Sequence, residues 1–134
     1  MLTPFGKYLR KMRIDKDESM DDMAKRLGVS KTYLSFIENG SREINQPLAF
    51  KIMNEYNISG PEAQEFLKAF YATPVKTITL DTGKIAHLEG GIALAQQFAL
   101  LLPQLNQEQF NEFAKLFNGF IINHNIKEVI GDLS

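Results

Sequence analysis

The 134-residue chain has no cysteine. That excludes a disulfide scaffold, a thiolate zinc site and a cysteine nucleophile, and it suits a reducing cytoplasm. It also has no long apolar run. The longest, Phe98 to Leu102, is far too short to span a bilayer, so no membrane partner is expected. The cationic N-terminus, with Lys7, Arg10, Lys11 and Arg13, has no apolar stretch behind it and is not a secretory signal. Neither sign of charge dominates. Lys and Arg number 15 against 16 Asp and Glu, a net charge of −1, which by itself predicts no polyanionic partner. His87 and His124 stand far apart without ligand spacing, and the acidic run Asp15, Asp17, Asp21 lacks the glycine and terminal glutamate of a calcium loop. No metal and no other cofactor is expected.

Signs of catalysis are equally sparse. Gly83-Lys84 is no phosphate loop, because Ile78 stands where the first glycine of that motif must be. Asp81-Thr82-Gly83 is similar to the active-site triplet of aspartic proteases, whose chemistry needs two carboxylates sharing a proton. The glycine-rich flap and β-rich chain of that chemistry are missing, so the triplet reads as a turn. Nothing points to an enzyme.

What is present is an ordinary globular composition, with 44% apolar and 23% charged residues and ten Phe and four Tyr to build a core. The length suits one ordinary domain or two very small ones. Charge is unevenly spread: residues 1–47 hold nine Lys and Arg against seven Asp and Glu, whereas residues 48–134 hold six against nine. A basic front and an acidic back hint at nucleic acid.

Helical periodicity dominates, so the expected fold class is all-α. Phe5, Leu9 and Met12, with Tyr8 alongside, share one face of a helix over Pro4 to Lys16, and Asp15 to Glu18 reads as a polar connector. Ser19 and Asp22 stand at capping-box spacing before the stripe Met20, Met23, Ala24 and Leu27, and Gly28 ends that helix. Ser30 caps a third helix, Lys31 to Asn39, with Leu34 and Ile37 pointing inward. A polar loop over residues 40–46 precedes a fourth helix, Pro47 to Tyr56, with Leu48, Phe50, Ile52 and Met53 available for burial. Ser59 caps a fifth, which Thr73-Pro74 stops. The β-branched stretch from Val75 to Leu80 is a linker or one short strand. Two helices follow, about Ala86 to Leu102 and Gln107 to Asn123, the second capped by Asn106. The expected division is 1–72, an N-terminal helical domain, and 73–134, a C-terminal helical region.

The informative stretch is Ser19 to Gly40. Two short helices meet through Gly28-Val29-Ser30, the layout in which a second helix enters the DNA major groove. Leu34 and Ile37, with Val29, anchor that helix, while Lys31, Thr32, Ser35, Phe36 and Asn39 fall on its opposite side. With Ala24, Gly28, Leu34, Ile37, Glu38 and Gly40 all in place, residues 5–58 resemble the Xre family, the lambda-repressor-like helix-turn-helix. The resemblance implies a five-helix DNA-binding domain, followed here by the short linker or strand and a C-terminal helical hairpin. It implies base contacts from Lys31, Thr32, Ser35 and Phe36. It implies phosphate contacts from Ser19 and Met20 through backbone N–H groups, and from Asn39 and Arg42. Met20 replaces the family's usual Gln, which removes a side-chain phosphate contact there. The resemblance also implies a structural ion pair between Arg13 and Glu38.

Phe110, Phe113, Phe117 and Phe120 recur at helical spacing in the last helix, and a thin hairpin has little else to cover them. They are the expected dimer or partner surface. A dimeric, cytoplasmic repressor of a palindromic operator in double-stranded DNA is the first functional expectation. The alternative is an antitoxin, in which the C-terminal region masks a protein toxin and DNA binding regulates the operon.

Overall fold

The computed structural model describes residues 1–126, which divide into two compact units, 1–78 and 79–126. The described residues are helical, with turns between, and contain no strand. The N-terminal unit holds α1 (Pro4–Lys16), α2 (Met20–Leu27), α3 (Lys31–Asn39), α4 (Gln46–Glu55) and α5 (Gly60–Ala72). Four of the five helix starts carry a side-chain cap. Thr3, Ser19, Ser30 and Asn45 each accept, through a side-chain oxygen, an amide N–H of the first turn. Ser59 occupies the cap position of α5, but its hydroxyl makes no capping bond. Asn45 moves the start of α4 one residue ahead of Pro47, a signal hidden inside the polar loop.

One core joins the five helices. Phe5, Leu9 and Met12 of α1 meet Met23, Ala24 and Leu27 of α2, Leu34 and Ile37 of α3, Ile52 of α4, and Phe66 and Leu67 of α5. Phe5 and Phe66 pack edge to face at 5.2 Å. Phe50, expected to be available for burial, instead lies largely exposed on an apolar groove of about 310 Å³ with Ile44, Leu67, Phe70 and Val75. The unit runs on past α5 because the following segment is tied back. The buried Thr73 hydroxyl accepts from the Phe5 N–H and donates to the Ala69 carbonyl, both at 3.0 Å. The Lys76 N–H donates to Glu43 at 2.7 Å. Residues 75–80 form no strand.

Near the start of the second unit the Asp81 carboxylate accepts the Gly83 N–H and opens a 3-10 turn over Thr82–Lys84. Helix α6 (Gly91–Leu101) starts five residues later than Ala86. The reason is Gly90, whose φ of 79° lies in the left-handed region and breaks any helix approaching from Ala86. Pro103 sits in a 3-10 turn over Leu102–Gln104, and α7 (Gln107–Asn123) follows from a capping box between Asn106 and Gln109. The α6 and α7 arms touch where Phe98 meets Phe113, with ring centroids 5.5 Å apart. Among the described residues no helix is long and apolar enough to cross a membrane.

Candidate nucleic-acid interface

The turn between α2 and α3 is short because Gly28 takes a φ of 69°, so its N–H and that of Val29 close back onto the last carbonyls of α2. Ser30 then restarts the helix at once, its hydroxyl accepting from the Tyr33 N–H at 3.0 Å. Two faces of α3 result. Leu34, Ile37 and Glu38 are buried. Lys31, Thr32, Phe36 and Asn39 are exposed, and Ser35 and Tyr33 are half-buried. The four residues that the resemblance assigns to bases, Lys31, Thr32, Ser35 and Phe36, thus lie together on the side facing away from the core.

Glu38 fixes the pose of this helix. Its carboxylate forms a bidentate pair with the Arg13 guanidinium, one arm of it at 3.1 Å, and both side chains are buried. Arg13 also donates to the Met23 sulfur at 3.6 Å. The Glu38 main-chain carbonyl accepts from the Thr3 N–H at 2.9 Å and from its hydroxyl at 3.2 Å. The carboxylate grips one end of α1 and the carbonyl the other, so α3 cannot swivel against α1. Gly6 completes the joint, since a Cβ there would lie 2.1 Å from that same carbonyl oxygen.

A second clamp holds α2. Glu18 accepts from Arg26 at 3.2 Å and from the Tyr56 hydroxyl at 3.3 Å, and the Arg26 guanidinium lies 4.4 Å over the Tyr56 ring. Burial pushes the Tyr56 hydroxyl up to about 12, with the Glu18 charge adding to it, so the phenol stays a donor at neutral pH. In the sequence Glu18 reads only as part of a polar connector. No spacing rule singles out an acid that reaches across to a residue 38 positions away.

The predicted phosphate residues lie at the ends of the two helices. The Ser19 N–H donates to the Asp22 carboxylate and the Asp22 N–H to the Ser19 hydroxyl, both at 3.0 Å, so the capping box is closed. The Ser19 N–H bond holds the Asp22 carboxyl below the usual carboxylate range. Met20 follows, half-buried. At the far end of α3 the Asn39 carbonyl oxygen of the side chain accepts the Ser41 N–H at 2.8 Å. The Arg42 N–H donates to the Phe36 carbonyl at 3.1 Å, which folds the loop beside the exposed face and leaves the Arg42 side chain in solvent.

Residues 9–62 match the model of the helix-turn-helix family. The N-terminal unit is a helix-turn-helix domain of the Xre kind. Comparison with curated proteins and with solved structures found no match. The helix-turn-helix domain is a DNA-binding domain of transcriptional regulators, not a catalytic one. Its matched stretch takes in both clamps that hold α2 and α3, Arg13–Glu38 and Glu18–Arg26–Tyr56.

The C-terminal aromatics lie elsewhere, in the second unit. Phe113 is half-buried against Phe98, whereas Phe110, Phe117 and Phe120 are exposed. Sequence reading missed that α6 is the barer helix. It has no charged residue and no buried one, with Leu94 at 65% and Leu100 at 70% exposure. Its polar side chains are Gln96 and Gln97 alone, and a helix so nearly apolar is normally covered by other protein.

Proposed function

We propose that the chain is a sequence-specific, DNA-binding transcriptional regulator that acts in the cytoplasm as a dimeric autorepressor on a palindromic operator. The observation that carries this reading is the division of α3 into a clamped inner face and an outer face of Lys31, Thr32, Ser35 and Phe36. In the reading, that outer face meets base edges in the major groove. Met20, through its main-chain N–H, and Asn39 and Arg42, through their side chains, meet phosphates, whereas the Ser19 N–H expected to do so is taken by the Asp22 carboxylate. The second copy is held by the C-terminal unit through Phe110, Phe113, Phe117 and Phe120 together with α6.

The exposed α6 face favours a second reading as well, an antitoxin whose C-terminal unit covers a protein toxin. The two differ in what coats that face. Titrating labelled duplex from the chain's own promoter region at several salt concentrations tests the first. Binding should be tighter than to scrambled duplex, and neutralising ~6 phosphates should give a log–log salt slope near −5. Equal affinity for both duplexes at every salt refutes it. Co-expression with the product of the adjacent reading frame tests the second, the expected outcome being growth restored only when both are present.

A further inference from the structure

Asp21 stands in the first turn of α2, and its carboxylate lies 3.6 Å from the ammonium of Lys31, the first residue of α3. Both side chains are open to solvent. Beside it the Asp22 carboxylate is held by Ser19. The start of α2, which the proposed function turns toward a phosphate, therefore carries two carboxylates. Two of its amides, those of Ser19 and Asp22, are already engaged. A surface ion pair holds its partners weakly, so Lys31 can leave Asp21 for a better acceptor. A phosphate is a poor rival, because reaching Lys31 means approaching the Asp21 charge, whereas a base edge in the groove carries no net charge.

We propose that Asp21 is a specificity-determining residue of the DNA-reading surface. It withholds the Lys31 ammonium from phosphates and lays a fixed negative charge beside the backbone path, so that affinity for arbitrary duplex falls more than affinity for the preferred one. Discrimination then rests on a repulsive element as well as on attractive ones. This rests on the DNA-binding reading above.

The test uses the full chain, a duplex recovered by that chain from a random pool, and a scrambled duplex, across a salt series. Asp21→Asn should bind the scrambled duplex roughly three- to tenfold tighter, the preferred one less so, narrowing the ratio between them. The scrambled-duplex salt slope should steepen by about one for each bound protomer as Lys31 goes over to a phosphate. Asp21→Glu should restore wild-type behaviour, and thermal melting of both variants should match the wild type. In a Lys31→Met background Asp21→Asn should leave the slope where it was. Unchanged affinity and slope in Asp21→Asn, or an equal gain on both duplexes, overturns the role of Asp21 while leaving DNA binding intact. A wild-type chain that selects no sequence overturns the DNA-binding reading and this inference with it.

Discussion

Glu38 does more than any other single residue to set the pose of α3, because it holds α1 by two different groups. Removing Arg13 leaves its carboxylate buried and unpaired, so Arg13→Ala should cost on the order of 3–5 kcal/mol in chemical denaturation. Replacing both partners, Arg13→Met with Glu38→Leu, should cost far less, since no charge is then stranded. An Arg13→Ala chain of wild-type stability that fails to bind DNA would make Arg13 a contact residue instead. Gly6→Ala should be destabilising by about 3 kcal/mol, because the new methyl meets backbone rather than a yielding side chain. The Arg13–Glu38 pairing was available from the family resemblance, but the Gly6 joint was not. A glycine inside a helix looks like a mere weakness until the neighbouring helix is known to lie against it. Asp22 gives a pH signature. Its folded carboxyl titrates below the unfolded one, so the stability it adds is present above the ordinary carboxylate value near ~4 and is lost as pH falls through the lowered one. The melting-temperature gap between wild type and Asp22→Ala should therefore be widest at neutral pH and close in acid.

At the scale of elements, the boundaries that local chemistry decides were legible and those decided by reach were not. The start of α1 and both ends of α3 follow from Pro4, Ser30 and Gly40, each acting within a turn of itself. The start of α6 was misplaced because the apolar periodicity runs on through Gly90-Gly91, and only the backbone angle at Gly90 stops it. The linker at 75–80 has strand-like residues but no neighbouring strand to pair with among the described residues, so β propensity had nothing to act on. The two faces of α3 were legible because burial and exposure alternate at the helical period. That division predicts a division of labour on DNA. Thr32→Ala or Ser35→Ala should alter which base is preferred at one position, by at most about 1–3 kcal/mol. Arg42→Ala should weaken every sequence alike and flatten the salt slope by about one per protomer. A base preference reordered by Arg42→Ala in a selection experiment would contradict the assignment.

At the scale of the whole molecule the two units pose opposite problems. The first closes a core around Phe5, Leu27, Leu34 and Phe66 and leaves mainly polar residues on the outer face of α3. The second exposes Leu94, Leu100, Leu116, Phe117 and Phe120, an amount of apolar surface that single chains seldom leave wet. Half-exposed phenylalanines contribute on the order of 100 Å² each, and with the α6 leucines the face approaches the ~800 Å² that one partner of a standard interface buries. A charge-free α6 can also meet its own copy without like-charge repulsion, as a two-fold interface requires. The expected occupant is thus a second chain, and a palindrome with half-sites one turn, ~34 Å, apart needs one. Residues 1–78 alone should then fold, since Thr73 and Lys76 keep their partners Phe5 and Glu43. In analytical ultracentrifugation that fragment should sediment as a monomer while the full chain sediments as a dimer. Its affinity for a full operator should fall by tenfold or more, because each half-site is then bound without help from the other. Leu94→Glu with Leu100→Glu in the full chain should have the same two effects while leaving the melting of the first unit unchanged. A fragment that dimerises and binds at full strength would remove the C-terminal unit from operator binding and give the toxin-covering reading the better claim on α6.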